Sequence, residues 1–130
     1  MVPDPSAPIV IADARAAAVL LTGLADAAIE RAVVLYLDPQ WTLLGRSDFV
    51  GTADTVTPPL RAIIAEALRL DATALVLAHN HPRGSTRPSA ADMAYTRALA
   101  RVADALDLVL ADHLIVAGAE VTSLRDAGLI

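Results

Sequence analysis

Two of the three histidines of this chain, His79 and His81, lie two residues apart at the end of an apolar run, and Asp92 follows after a short loop. Imidazole nitrogens and carboxylate oxygens are zinc ligands in proteins, and the chain has no cysteine to supply a thiolate. Two histidines and one carboxylate leave the fourth tetrahedral position to water, which is the pattern of a catalytic zinc site. The residue types and their spacing therefore indicate a metal site that activates water.

The elements around the motif must bring these three side chains together. Residues two apart on a strand point to the same face, with Cα atoms about 6.5 Å apart, so a strand ending at His79 and His81 would direct both rings to one ion. Asp92 would then lie in the first turn of the next helix and reach back across the loop. A strand, a loop and a helix are what this site needs.

Two simpler interpretations compete with a metal site. Ser89-x-x-Asp92 is also a helix start signal, with Ser89 as the N-cap and Asp92 at the third helical position. His81-Pro82 with Gly84 is also ordinary turn chemistry. The spacing alone leaves these alternatives open.

The composition excludes several classes of function. The 130 residues suit one domain, and the absence of cysteine removes disulfides, thiolate zinc sites and cysteine nucleophiles. All ten cationic residues are arginines, the chain has no lysine, and the net charge is −5. An acidic domain without a basic face is a poor ligand for a phosphate backbone, so we expect no direct nucleic-acid binding by this domain alone.

No apolar run reaches the roughly 18 residues that would span a bilayer. The first residues carry three prolines and lack the basic segment of a signal peptide. We therefore expect no membrane partner and a cytoplasmic location, with residues 1–8 as a flexible lead-in and residues 9–130 as the folded domain.

Hydrophobic patterning predicts an α/β domain in the order α-β-β-α-β-α-β-β, with helices packed on one mixed sheet. The segment 45–57 is loop-like, with a strand end near Phe49. The predicted helices are 11–28 (with Gly23 as a position that ends or kinks it), 60–70 and 89–106, and the predicted strands are 31–37, one beginning at 41, 72–78, 108–116 (broken at Asp112-His113) and 120–124. Spacing places Leu60, Ile63, Ile64, Ala67 and Leu68 on the buried face of the second helix, and Tyr95, Leu99, Val102 and Leu106 on that of the third.

The motif also resembles a known one. His79-Asn80-His81-Pro82, with Gly84, Pro88-Ser89 and Asp92 after it, closely resembles the JAMM motif of the JAB/MPN metalloprotease superfamily, and specifically its RadC-like branch. The resemblance continues in Leu37-Asp38, Gly51-Thr52 and residues 111–116, and it covers the chain from about residue 28 to the C-terminus. It implies a single MPN (JAB)-like domain.

The resemblance also implies roles for individual residues. His79, His81 and Asp92 would hold Zn²⁺, Ser89 would stabilise an oxyanion or orient the water, and an upstream glutamate would act as general acid and base. We assign that glutamate to Glu30, because it precedes the first strand where the family carries an acid. The two remaining glutamates, Glu66 and Glu120, are expected on the surface, and His113 is not assigned to the metal.

The function implied is that of a zinc-dependent hydrolase that cleaves a peptide or isopeptide bond in a peptide or protein substrate. The alternatives are a non-catalytic RadC-type module of DNA repair or recombination, and an MPN scaffold for protein interactions. RadC proteins usually carry an N-terminal helix-hairpin-helix-like region, so we expect this chain to be an isolated domain or a fragment. Pairing of exposed edge strands would allow a homodimer.

Overall fold

A computed structural model describes residues 7–21, 23–51 and 57–130. The predicted α/β class and element order are confirmed. The elements in chain order are α1 (Ala14–Val19), a single 3₁₀ turn (Leu24–Asp26), β1 (Arg31–Leu37), β2 (Leu43–Val50), α2 (Leu60–Arg69), β3 (Ala74–Asn80), α3 (Ala90–Ala105), β4 (Val109–Ala117) and β5 (Glu120–Ser123).

The five strands form one mixed sheet in the order β2-β1-β3-β4-β5. Only β3 and β4 are parallel, because α3 connects them, and the other neighbours are antiparallel. β1 and β3 occupy the interior of the sheet, and nearly every residue of both is buried. The sequence shows this as uninterrupted apolar runs, which are typical of strands covered on both faces.

Each face of the sheet carries its own apolar core. On one face, α1 and the segment after it cover Val33, Leu35 and Val76. On the other, α2 and α3 cover Val34, Tyr36 and Leu77. Because side chains alternate along a strand, His79 continues the row of Leu77 and belongs to the α2/α3 face, whereas Asn80 belongs to the α1 face.

The N-terminal helix is much shorter than predicted. Asp13 caps it as expected, since its Oδ1 accepts a hydrogen bond from the Ala16 N–H at 2.8 Å. The helix nevertheless ends at Val19. Gly23 then has a φ of 90°, a left-handed conformation that interrupts any right-handed helix. The prediction of a helix over 11–28 was therefore wrong after the second turn.

The second strand is longer than predicted. β2 continues to Val50, and its residues Arg46 to Val50 pair in regular register with residues Leu35 to Arg31 of β1. The segment 45–50 is therefore not a loop. Exposed and half-buried residues alternate along this edge strand, so its polar residues do not mark a turn. Most of the predicted lead-in, residues 1–6, and part of the predicted loop, residues 52–56, fall outside the described residues.

The predicted buried face is right for most of α2 but is rotated in α3. In α2, Ile63 and Ala67 are buried and Leu60 and Ile64 pack against the same core, whereas Leu68 is 59% exposed. In α3 the buried residues are Thr96, Leu99 and Ala103. Burial of Thr96 in this row places a hydroxyl against the sheet, where the sequence pattern predicts the apolar side chain of Tyr95.

β4 is continuous but carries a β-bulge. Leu75 pairs with Leu110 and the next residue of β3, Val76, pairs with Asp112, which leaves Ala111 as the extra residue. The bulge reverses the faces of all following residues, so that His113 pairs with Leu77 and shares the α2/α3 face with His79. The strand is therefore not broken at Asp112-His113 as predicted. Instead, its register with β3 changes one residue earlier, at Ala111.

Candidate metal centre

The last residues of β3 bring the two motif histidines together. The Nε2 atoms of His79 and His81 are 2.9 Å apart, and the rings meet edge to face. His81 lies just beyond the end of β3, but its N–H donates to the Val116 carbonyl at 2.9 Å and so extends the ladder to β4. The side chain of His79 is 5% exposed and that of His81 is 17% exposed, so one ring is internal and the other lies at the rim.

Asp92 faces both rings from the first turn of α3. Its Oδ1 is 3.2 Å from His79 Nε2, and its Oδ2 is 3.1 Å from His81 Nε2. These separations are slightly shorter than the roughly 3.4 Å between neighbouring ligand nitrogens around a tetrahedral zinc ion. The structure therefore brings together the three side chains that the sequence predicts as metal ligands.

The same carboxylate also closes a capping box at the start of α3. Ser89 Oγ accepts from the Asp92 N–H at 2.9 Å, while Asp92 Oδ2 accepts from the Ser89 N–H at 2.8 Å. The helix-start interpretation and the metal interpretation are therefore compatible, since Oδ1 takes no part in the cap. Burial is the largest influence and raises the pKa of Asp92, but the contacts with His79 and Ser89 outweigh it, and the pKa lies well below its ordinary value.

A chain of buried hydrogen bonds fixes the tautomer of His79. Thr96 Oγ1 lies 2.7 Å from the Asp92 carbonyl, which can only accept, so the Thr96 hydroxyl is the donor there. Thr96 Oγ1 must then accept from His113 Nδ1, 2.6 Å away. Neutral His113 consequently accepts at Nε2 from His79 Nδ1 over 2.7 Å, and the lone pair of His79 is on Nε2.

His113 is suited to this role because its ring stays neutral. It is 2% exposed. Burial lowers its pKa to about 3, and the neighbouring His79 acts in the same direction. The sequence analysis left His113 unassigned and missed Thr96 altogether. His113 faces His79 only because of the bulge at Ala111, and the sequence does not predict that bulge.

A backbone carbonyl fixes the tautomer of the rim histidine. His81 Nδ1 lies 2.6 Å from the Ser85 carbonyl oxygen, so Nδ1 carries the hydrogen and the lone pair is on Nε2. The loop that carries this carbonyl turns at Gly84, whose φ is 95°. Both histidines thus direct an unprotonated Nε2 at the same point when their rings are neutral.

The result is a cluster of hydrogen-bond acceptors that a positive charge would stabilise. Two imidazole lone pairs and two carboxylate oxygens face one another within 3.2 Å, with no donor among them while both rings are neutral. Either an added proton or a metal ion would satisfy them. Two neutral imidazoles and an ionised carboxylate are also the protonation states that a metal ion requires of its ligands. The donor set therefore fits a metal cofactor.

Glu30 lies beside this group, immediately before β1. It is 7% exposed, and Glu30, His79 and His81 each offer a ligand atom within 4.8 Å of one another. These three residues form a candidate metal site by themselves, and the Asp92 oxygens lie 3.2 and 3.1 Å from the two rings. Glu66 instead pairs with Arg69 on α2, and Glu120 is exposed at the start of β5. Glu30 is the one glutamate of the chain that lines the site.

The group opens into a cleft of about 350 Å³. Ser89 lines it beside Asp92 and Glu30, and since Ser89 Oγ accepts from Asp92, its own hydroxyl hydrogen is directed elsewhere. Pro58 and Tyr95 also line the cleft, and the Tyr95 hydroxyl donates to the Pro58 carbonyl at 2.6 Å. Burial raises the pKa of Tyr95, so its phenol stays protonated and joins α3 to the segment before α2. Among the described residues, no helix is long and apolar enough to cross a membrane.

Comparison with known proteins agrees with the fold and the motif. The family model described as the RadC-like JAB domain matches residues 11–129. A UPF0758 protein of Bordetella avium is 43% identical over 111 residues, which are 85% of this chain and 49% of that protein. The UPF0758 protein YkfG of Escherichia coli K12 is 41% identical over 107 residues, 80% of this chain and 68% of YkfG.

A UPF0758 protein of the cyanobacterium Thermosynechococcus vestitus is 40% identical over 119 residues, 91% of this chain and 48% of that protein. The chain thus spans about half the length of most of the curated relatives it matches. A family match over nearly the whole chain, carried by a fold and a motif that agree with it, gives one conclusion: the chain belongs to the RadC-like JAB domain family.

Proposed function

We propose that the chain is a zinc-dependent metallohydrolase that cleaves a peptide or isopeptide bond. The observation that carries this proposal is the convergence of His79 Nε2, His81 Nε2 and the Asp92 carboxylate within 3.2 Å, all as acceptors. A protein that served only as a scaffold would have no need of such a group at the floor of a cleft, because unpaired acceptors facing one another are unfavourable. A negative net charge without lysine gives no support to a DNA-binding function of this domain.

In this proposal His79, His81 and Asp92 hold the zinc ion. When bound, zinc supplies a Lewis acid that lowers the pKa of a coordinated water to about 7 and polarises a carbonyl. Asp92 is suited to be a ligand since its Oδ1 remains outside the capping box. The hydrogen bonds from His79 to His113 and from His81 to Ser85 hold both rings in the tautomer that binds metal.

Glu30 then acts as the general base and acid. One ligand atom of Glu30 and one of each histidine lie no more than 4.8 Å apart, which is close enough for proton transfer directly or through one water molecule. Glu30 takes the proton of the attacking water and passes it to the nitrogen of the leaving amine. Ser89 lies on the same cleft and donates its hydroxyl hydrogen to the oxygen of the attacked carbonyl as negative charge develops there.

The experiment separates metal binding from catalysis. We expect about one zinc ion per chain in purified protein by elemental analysis, and its loss in His79→Ala. Glu30→Gln should keep the zinc but lose cleavage of a diverse peptide library, followed by mass spectrometry, by a factor of at least about 100. Glu120→Gln is the matched control, since it makes the same chemical change at an exposed residue outside the cleft.

The proposal fails if the wild-type protein binds no stoichiometric zinc, or if His79→Ala retains it. It also fails in its catalytic part if zinc-loaded wild-type protein and Glu30→Gln give the same cleavage products at the same rate. A variant of Glu120 that behaves like Glu30→Gln would show that the loss is unrelated to the site.

A further inference from the structure

Asn80, the residue between the two motif histidines, points away from the metal centre. Its side chain lies on the α1 face of the sheet, opposite to His79, and it is 0% exposed. An uncharged amide buried this deeply must find partners for two N–H groups and a carbonyl oxygen. All three find them in one short segment, residues 27–31.

The three hydrogen bonds lie on both sides of Glu30. Asn80 Nδ2 donates to the Ile29 carbonyl at 3.1 Å and to the Ala27 carbonyl at 3.3 Å. Asn80 Oδ1 accepts from the Arg31 N–H at 2.6 Å. The residues immediately before and after Glu30 are thus both fastened to the side chain that lies between the two candidate ligands.

The backbone ladder does not provide this attachment. Pairing of β1 with β3 begins at Ala32 and His79, so residues 27–31 lie beyond its end. On the other side, the Glu30 carbonyl accepts from the Gly51 N–H at 2.8 Å. The carboxamide of Asn80 takes the place of the next peptide unit of β3, and it fixes the backbone of Glu30 relative to His79 and His81.

We propose that Asn80 is a positioning residue that sets the distance between the Glu30 carboxylate and the metal centre. This inference rests on the function proposed above, since it assigns Glu30 the proton transfer. It assigns different roles to three consecutive residues: the two histidines bind the metal from one face of the sheet, and Asn80 holds the general base from the other.

Two kinds of measurement test the inference, and the first does not depend on activity. The chain contains one asparagine and one glutamine, so its side-chain amide NMR region contains two NH₂ pairs, and Gln40→Ser assigns them. We expect the Asn80 pair to be protected from exchange and the Glu30 backbone amide to be rigid in the zinc-loaded protein. In Asn80→Ala the order parameter of Glu30 should fall from about 0.85 toward 0.6, with zinc stoichiometry unchanged.

The second measurement is a double-mutant cycle on the library peptide that the wild-type protein cleaves fastest. Asn80→Ala should lower kcat by about 10- to 100-fold, with KM changed less than about twofold, because a general base misplaced by an ångström loses most of its effect. If Asn80 acts through Glu30, the double variant Asn80→Ala/Glu30→Gln should be no slower than Glu30→Gln alone. If the two substitutions caused independent defects, their fold losses in kcat would instead multiply.

Tyr36→Phe is the control for general destabilisation. Tyr36 is also fully buried, on the opposite face of the sheet from Asn80, and the substitution removes the one hydrogen bond between its hydroxyl and Ser47 Oγ, which are 2.8 Å apart. It should leave the Glu30 order parameter and kcat unchanged. If Asn80→Ala does not fold, Asn80→Ser, whose hydroxyl donates one hydrogen bond where the carboxamide donates two, should give an intermediate loss of order at Glu30.

The inference is overturned if Glu30 stays equally rigid in Asn80→Ala or Asn80→Ser, or if the cycle is additive. The proposed function fails separately, when Glu30→Gln cleaves as well as the wild-type protein while the NMR results still show Asn80 holding Glu30. A loss of zinc in Asn80→Ala would also overturn the inference about Asn80, because Asn80 would then support the metal ligands and not the general base.

Discussion

The inner and outer halves of the candidate site are built by different means. The inner half consists of His79, His113 and Thr96, all buried and linked through their side chains. The outer half is the loop from His81 to Ser89, where the ring of His81 is held by the backbone carbonyl of Ser85. A support made of side chains can be removed by substitution, whereas a support made of backbone survives it. Substitution of a supporting side chain should therefore weaken the inner half, whereas substitution of the residue that supplies the supporting carbonyl should leave the outer half intact.

The largest effect is expected from His113→Phe in the inner half. The substitution keeps a flat ring but removes both nitrogens, so His79 loses its acceptor and Thr96 its donor. Zinc affinity, measured by competition with a chelator, should fall by about 10- to 100-fold, as for other partners of ligating histidines. The free energy of unfolding of the metal-free protein should fall by about 1–3 kcal/mol, because buried polar groups are left unpaired.

Ser85→Ala is the matching change in the outer half, and it should leave zinc affinity unchanged. The carbonyl that orients His81 belongs to the backbone and is retained. If Ser85→Ala weakened zinc binding as much as His113→Phe, the distinction between the two halves would be wrong.

An intermediate effect is expected from Gly84→Ala, which acts on the outer half through its backbone. Gly84 has a φ of 95° and donates to the His81 carbonyl at 3.1 Å. An added Cβ would meet no atom within 4 Å, so the cost is backbone strain alone, about 1–2 kcal/mol in urea unfolding. Zinc affinity should fall with it, because the turn that orients His81 is disturbed.

Gly118→Ala is the control for that strain. Gly118 has a φ of 58° in the turn between β4 and β5, also with no atom within 4 Å of an added Cβ. It should show a similar loss of stability with unchanged zinc affinity. Equal losses of zinc affinity in both glycine variants would mean that the loop does not act on His81 specifically.

Among the substitutions expected to destabilise the protein, the smallest effect is that of Ser89→Ala at the start of α3. Loss of the N-cap oxygen should lower the free energy of unfolding by about 1 kcal/mol. Asp92 keeps its hydrogen bond from the Ser89 N–H, so its carboxylate should remain in place and zinc affinity should change little. Asp13→Ala removes the cap of α1 and should cost a similar amount in urea unfolding. A large loss of zinc in Ser89→Ala alone would show that the hydroxyl, and not the backbone, fixes Asp92.

The sequence was sufficient for the parts of the site that depend on local spacing. The strand 31–37 has the predicted bounds, and the strand, loop and helix of the motif bring His79, His81 and Asp92 together. Period-two and helix-start patterns determine these positions, because neighbouring residues impose them. The α/β class and the RadC-like resemblance, which are confirmed, rest on the same local patterns.

The supports of the site could not be predicted, because they depend on pairings between distant residues. A bulge at Ala111 decides which face His113 occupies, and nothing in the local sequence distinguishes a bulged strand from a broken one. The role of Asn80 requires knowing that residues 27–31 pass beside it. The short α1 was predictable only in part, because Gly23 marks an end or kink of the helical pattern but the helix already ends at Val19.

The bulge at Ala111 also determines what a misfolded β4 would look like. If the strand slipped by one residue so that the bulge disappeared, Asp112 would take the position facing Thr96, and His113 would enter the apolar layer with Val33 and Leu35. Asp112 would also lose Ser123 and the Arg125 N–H, with which it now forms hydrogen bonds. Such a slip would bury an unpaired carboxylate and an unpaired imidazole together, and this penalty keeps the parallel pair of strands in a single alignment.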